Sequence, residues 1–158
     1  MVPTLDVSSP ALALWSALVV GFLFGVVPIG LAEVSALAIG AVRPPGLALA
    51  MLALFTVAHV GAKVIWYYIG SWADRVRHER LRRSIVRARE VIAKHPGYGA
   101  GVLAASALTS VPPFHLAAIA AGIARIPLAR FIAICLAGRL VRFALFAAAA
   151  PLVELLAR

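Results

Sequence analysis

Two adjacent prolines, Pro112 and Pro113, lie in the middle of an apolar run that extends from Gly97 to Ile123. Proline lacks a backbone donor and its ring clashes with the preceding turn, so the pair ends a helix. Lipid offers no hydrogen bond to the carbonyls that are freed in this way. The run therefore predicts a re-entrant hairpin over residues 98–124, in which two short helices enter a membrane and turn back.

The composition predicts an integral membrane protein. Hydrophobic residues make up 63% of the 158-residue chain, and its mean hydropathy is +1.00. A soluble domain of this size cannot bury so much apolar surface. At this length we expect one membrane domain, residues 1–158.

A second interrupted apolar run occupies residues 11–42, where Pro28 and Gly30 form the break. Gly21 and Gly25 in its first part form a G-x-x-x-G pair, which allows another helix to approach closely. The run predicts either one long kinked span or a first re-entrant hairpin. We favour the hairpin.

Residues 47–69 and 128–152 are uninterrupted apolar runs. Each is longer than the roughly 20 residues that a helix needs to cross the hydrocarbon core. A single crossing between the two broken segments would give them opposite orientations. The predicted fold is an all-α membrane protein with two inverted re-entrant helical hairpins, two transmembrane helices and one basic amphipathic helix.

That basic helix is predicted within residues 71–95, which hold eight of the 15 Lys and Arg residues but three Asp and Glu residues. Arg80, Arg83 and Arg87 lie mostly off an apolar stripe with helical spacing. A basic amphipathic helix fits the anionic inner surface of a membrane, and a plain solvated helix on the cytoplasmic side is the alternative. We expect no nucleic-acid partner.

An internal repeat links the two halves. The sequences Gly40-Ala41-Val42-Arg43-Pro44-Pro45 and Gly122-Ile123-Ala124-Arg125-Ile126-Pro127 share the pattern G-x-x-R-x-P. Each follows a proline break, and each precedes a long apolar run that contains basic residues. Inverted repeats with broken helices are typical of transporters.

Ionisable residues inside apolar runs are functional candidates by default. Glu33 and His59 are candidates for proton coupling, because burial shifts the balance between the two protonation states. The alternative for Glu33 is a structural ion pair with Arg139, Arg142 or Lys63. The alternative for His59 is a hydrogen bond between helices.

Basic side chains in the same runs are candidates for binding a phosphate. Arg139 and Arg142 would present planar sets of donors, and their alternative is pairing with Glu33 or reaching to the interface. Lys63 could likewise extend to the interface. His115 lies near the start of a short helix, where the positive end of the dipole favours anions.

No motif indicates an enzyme. The chain has no glycine-rich phosphate loop, no H-E-x-x-H and no Cys and His cluster. We therefore expect no catalytic residue, no metal and no cofactor. Cys135 is the single cysteine, so an intrachain disulfide is excluded.

The sequence resembles the DedA family and the wider VTT-domain membrane proteins over about Gly25–Phe146. The resemblance rests on the segments Ser110-Val111-Pro112-Pro113-Phe114-His115-Leu116, Ala121 to Pro127, Gly138-Arg139-Leu140-Val141-Arg142-Phe143, Pro28 to Glu33, and Gly61 through Tyr67-Tyr68-Ile69-Gly70. The Gly138 segment resembles the YqaA-like branch. The resemblance implies two opposed re-entrant hairpins and movement of phospholipid or undecaprenyl phosphate between leaflets.

We expect the protein to move a lipid head group across a bacterial inner membrane, with residues 71–95 in the cytoplasm. Membrane lipids with anionic head groups are the expected partners, and a homo-oligomer is left open. Two other classes remain: a proton-coupled exporter of small solutes that uses Glu33, and a scaffold that acts through its basic helix.

Overall fold

A computed structural model describes residues 9–27, 31–42, 44–75, 83, 86, 90 and 97–156. The elements in this part of the chain are helices joined by short connections, with no strand among them. The α-helices are α1 (Pro10–Val26), α2 (Ala32–Gly40), α3 (Pro45–Ser71), α4 (Tyr98–Thr109), α5 (Phe114–Ile123) and α6 (Leu128–Leu156), and a 3-10 helix follows α3 at Trp72–Arg75. The all-helical prediction is confirmed for these residues.

Two of the helices are long and apolar enough to cross a membrane. They are α3, with 27 residues, and the part of α6 from Leu128 to Val153, with 26 residues, among the residues that the structure describes. At about 1.5 Å per residue each is roughly 40 Å long, more than the hydrocarbon core of about 30 Å. Both extend beyond the predicted runs 47–69 and 128–152. Two such helices are compatible with a helical membrane protein.

Both predicted interruptions separate short helices. Helix α1 ends at Val26 and α2 begins at Ala32, while Pro28 and Gly30 themselves lie outside the described residues. Helix α1 begins with Pro10 at its first position, and Ser9 before it makes no side-chain hydrogen bond to the helix. The second interruption falls between Thr109 and Phe114, at the proline pair.

The two helices on either side of the proline pair run back along each other. A small apolar cavity between them is lined by Tyr98 and Gly99 from the start of α4, and by Ala124 and Ile126 just after α5. The start of one helix therefore lies beside the end of the other. This arrangement is a helical hairpin.

The chain divides into two compact units. The first comprises Met1–Ala62 and Arg139–Arg158, and the second comprises Lys63–Gly138. Each unit consequently contains one pair of short helices, one segment of α3 and one segment of α6.

In the first unit, small residues let α1 lie directly on α3. A Cβ atom at Gly21 would be 2.5 Å from the Phe55 carbonyl oxygen, and one at Gly25 would be 2.6 Å from the His59 carbonyl oxygen. The G-x-x-x-G pair is thus a helix contact. In the same unit, Phe55 and Phe143 are fully buried and pack edge to face with ring centroids 5.1 Å apart.

In the second unit, α5 lies directly on α3. A side chain at Gly122 would meet the carbonyl oxygen of Tyr67 on α3. The hydroxyl of Tyr67 donates a 2.6 Å hydrogen bond to the carbonyl of Ile126, just beyond α5. The end of α5 is a Schellman turn with Arg125 at φ 53°, closed by the bond from Ile126 N to Ala121 O at 3.1 Å.

The first glycine of each copy of the repeat allows a close contact between a short helix and a long one. Gly40, at the end of α2, packs against the backbone of Ala147 on α6 in the first unit. Gly122 packs in the same way against Tyr67 on α3 in the second unit. The short helix of each repeat therefore packs on the long helix that belongs to the other repeat.

Candidate functional site

One carboxylate and two guanidinium groups meet in the first unit. The Nε atom of Arg142 donates a hydrogen bond to Oε1 of Glu33 at 2.9 Å, and Nη1 of Arg139 lies 3.5 Å from the same oxygen. Glu33 is in the first turn of α2, where a negative charge is favoured by the helix dipole. Both arginines belong to α6 and are one helical turn apart, so they reach the carboxylate from the same face.

This Glu33–Arg139–Arg142 cluster is largely enclosed by protein. The side chain of Arg139 is 4% exposed, whereas those of Arg142 and Glu33 are 19% and 17% exposed. The guanidinium carbons of Arg139 and Arg142 lie 5.7 Å and 5.4 Å from the rings of Phe143 and Phe146, distances at which cation–π attraction operates. Two positive charges against one negative charge leave the cluster with a formal charge of +1.

The repeat glycine explains how residues more than a hundred positions apart come together. Gly40 holds the end of α2 against Ala147, and Glu33 lies two turns earlier on α2. Arg142 lies between one and two turns before Ala147 on α6. Because these two contacts follow the same direction along both helices, α2 and this part of α6 run parallel, and the ion pair forms at the start of α2.

His59 lies within an aromatic group in the first unit. It is 3% exposed, and its ring centroid is 6.1 Å from that of Phe55 and 5.3 Å from that of Phe143. Phe143 thus has His59 on one side and contacts the guanidinium of Arg139 as well. The part of His59 in proton coupling stays a prediction.

The second unit gathers the remaining predicted site residues at the start of α5. Lys63 is 3% exposed, and its Nζ lies 5.6 Å from the ring centroid of Phe114. The ring of Trp66 is 5.8 Å from that of His115. A buried cation and an imidazole therefore lie beside the helix start that follows the proline pair.

Side chains of α4 satisfy the backbone at this break. The hydroxyl of Ser106, which is fully buried, donates to the carbonyl of Pro112 at 2.6 Å. Thr109 donates to Ala105 O at 2.7 Å and accepts from Val111 N at 3.1 Å. The Val111–Pro112 peptide is cis. The sequence analysis did not identify Ser106 for this role, although its position one turn before the end of α4 is a usable signal.

Not all predicted site residues fall within the described part of the chain. Arg83 is exposed, whereas Arg80 and Arg87 lie outside the described residues, as do Pro28 and Gly30. Among the residues that are described, no group of three or more His, Cys, Asp or Glu side chains is placed to hold a metal ion.

The arrangement offers positively charged groups at the starts of two short helices, in the contacts that each unit forms by itself. Such groups can attract an oxyanion. The DedA resemblance remains a prediction from the sequence motifs. No protein-family model matches the chain, and neither a similar curated protein nor a similar solved structure was found.

Proposed function

We propose that this protein moves the phosphate-bearing head group of a lipid across a membrane. In this proposal α3 and α6 span the bilayer, and the two interrupted helix pairs are re-entrant hairpins. The hairpins bring polar groups to membrane depth, where a head group otherwise meets only hydrocarbon, while the acyl chains stay in the lipid.

The distribution of apolar surface supports a lipid environment. On α1, Leu12, Trp15, Val19 and Leu23 are between 48% and 68% exposed and recur at helical spacing. Contiguous exposed apolar residues usually mark a surface that contacts a partner or a membrane. Lipid is the simplest cover for it.

The observation that carries the proposal is the +1 charge of the Glu33–Arg139–Arg142 cluster. A charge in a low-dielectric environment is costly unless it is compensated, and charged residues in membrane segments usually mark a substrate path. A phosphate diester carries one negative charge and would bring the formal charge of these three side chains to zero. The guanidinium planes match its two free oxygens.

In this mechanism Glu33 and the head group are alternative partners of the same arginines. With the site empty, Glu33 holds Arg142 and Arg139 in place at the start of α2. An arriving phosphate takes donors from one or both arginines and displaces the carboxylate in part. The return of Glu33 then releases the phosphate, so the site binds an anion without retaining it.

The direct test is lipid translocation in reconstituted vesicles. Vesicles carry a trace of fluorescent phosphatidylglycerol, and dithionite added outside bleaches the probe in the outer leaflet. We expect the protein to make the inner-leaflet probe accessible. Replacement of Arg142 by glutamine should slow this by about tenfold or more, since a hydrogen bond to a charged group contributes about 1.5–3 kcal/mol.

Arg130→Gln is the matched control, because Arg130 is on the same helix α6 but exposed. It removes the same charge and should leave the rate unchanged. Equal rates with and without protein would reject the proposal. A substrate-dependent pH change without lipid movement would favour a proton-coupled exporter. A silent Glu33→Gln, with loss of function on charge reversal at Arg80, Arg83 and Arg87, would favour a scaffold.

A further inference from the structure

An apolar cavity of about 130 Å³ lies between α4 and α5 inside the second unit. The residues that line it extend from Tyr98 to Leu103 on α4, and from Ala117 to Ala124 at the end of α5. At about 1.5 Å per residue, the wall formed by α5 is roughly 10 Å long. The cavity is therefore a slot that follows the two helices from the open end of the hairpin.

Contacts with the long helices keep the two short helices apart. Helix α5 lies on α3, where a side chain at Gly70 would meet the carbonyl oxygen of Ile119. Helix α4 lies on α6, where a Cβ atom at Gly138 would be 2.6 Å from the Cβ atom of Ala107. To close the cavity, α4 or α5 would have to leave its long helix and lose this close packing.

The walls of the cavity favour a hydrocarbon over water. In the described part of the chain, the lining side chains are apolar except for the phenol of Tyr98. A buried water needs several polar partners, and apolar cavities of about 150 Å³ stay dry and bind small apolar molecules. If the cavity is empty, the atoms of its walls lose van der Waals contacts. An apolar ligand restores these contacts without burying a polar group.

The cavity is connected to the outer surface of the helix pair. Tyr98 is 58% exposed and Ala120 is exposed, whereas Leu103 and Ala117 are only 1% and 4% exposed. Leu116 lies one turn before Ala120 on the same face of α5 and is 51% exposed. Apolar surface thus continues from the outside of α5 into the cavity, and a long flexible hydrocarbon can occupy both.

We propose that this cavity binds one acyl chain of a membrane phospholipid. The acyl chain enters between Tyr98 and Ala120 and contacts Leu103 and Ala117 at the buried wall. Tyrosine, with an apolar ring and a polar tip, is enriched at the boundary of the hydrocarbon region, where acyl chains of the bilayer are available. The inference depends on the membrane setting of the proposed function but not on movement of a head group.

Photo-crosslinking can distinguish the cavity from the lipid-facing surface. The full chain is reconstituted in phosphatidylcholine vesicles that contain a phosphatidylcholine with a diazirine on one acyl chain. After illumination, the labelled residues are identified by mass spectrometry. Leu145, which is 67% exposed on α6, reports contact with the bulk lipid. Ala118 is fully buried on α5 but does not line the cavity, so it is the buried control.

We expect labelling of Leu103 and Ala117 as well as Leu145, and none of Ala118. Labelling of Leu145 without Leu103 and Ala117 would overturn the inference and leave the membrane setting intact. Equal labelling of Ala117 and Ala118 would also overturn it, because the label would then reach buried residues without the cavity. Absence of labelling at Leu145 would reject the membrane setting itself.

A second photoreactive compound tests the choice of a phospholipid. The same vesicles are prepared with a free fatty acid that carries the diazirine in place of the labelled phosphatidylcholine. If the fatty acid labels Leu103 and the phospholipid does not, the proposed ligand is wrong. Dithionite assays on the same vesicles report head-group movement separately, so loss of one result does not imply loss of the other.

Two variants test the route into the cavity. Ala120→Leu adds bulk at the opening, and because Ala120 is exposed the larger side chain has room outside the core. It should remove most of the labelling of Leu103 and Ala117 while Leu145 stays labelled. Ala105→Leu is the matched control, since Ala105 is exposed on α4 and does not line the cavity; labelling should not change. Undiminished labelling of Leu103 in Ala120→Leu would overturn the inference.

Discussion

Replacement of Gly122 by alanine tests the packing of α5 on α3 and, with it, the shared design of the two units. A Cβ atom at this position would meet the carbonyl oxygen of Tyr67 and would lie 2.8 Å from the nitrogen of Ser71. Both atoms belong to the backbone of α3. Backbone atoms cannot rotate away, so the two helices must separate.

Two opposing contributions determine the size of the effect. Overpacking of a close contact costs about 1–3 kcal/mol, whereas replacing glycine by alanine inside a helix gains up to about 1 kcal/mol. Because the obstruction is backbone, we expect the upper part of the first range, and a net loss of about 1–2 kcal/mol. For a protein of this size that corresponds to a fall in melting temperature of about 2–8 °C.

Gly101→Ala is the matched control. Gly101 lies on α4 of the same unit, and a Cβ atom there would have open space around it. This variant should therefore gain helix propensity and melt about 1–4 °C higher. Thermal unfolding of both variants in detergent, followed by tryptophan emission, makes the comparison. If Gly122→Ala is as stable as Gly101→Ala, the close packing of α5 on α3 is wrong.

Two further predictions concern single hydrogen bonds. Tyr67→Phe removes the bond to the Ile126 carbonyl and should cost about 1 kcal/mol, visible as faster amide hydrogen exchange in the turn after α5, while exchange in α1 stays unchanged. Ser106→Ala leaves the carbonyl of Pro112 without its 2.6 Å donor and should cost about 1–3 kcal/mol. An unchanged melting temperature for Ser106→Ala would show that this bond does not stabilise the break.

The local features of the fold could be predicted from the sequence because their causes are local. The proline pair ends α4 at Thr109 and allows α5 to begin at Phe114, since a ring in place of an N–H acts on its own turn. The long helices follow from uninterrupted apolar runs. The hydropathy pattern does not fix the exact ends of a helix, so α3 extends two residues further at each end than predicted, from Pro45 to Ser71.

The contacts between distant segments are harder to predict from the sequence. Sequence reasoning named Arg139, Arg142 and Lys63 as alternative partners of Glu33 and could not choose, because all three are cations in apolar runs. The choice depends on the packing of Gly40 against Ala147, which is a match between two helix surfaces. In the same way, nothing local indicates that His59 packs with two phenylalanine rings.

The exchange of helices between the repeats makes the two halves of the chain interdependent. A polypeptide cut anywhere between residues 75 and 97 would leave the N-terminal fragment with α1 and α2 but without the stretch of α6 that Gly40 requires. The C-terminal fragment would have α4 and α5 but no α3 beneath Gly122. Neither fragment could complete its helix packing by itself, and we expect the fold to form only where both fragments are produced together and co-assemble.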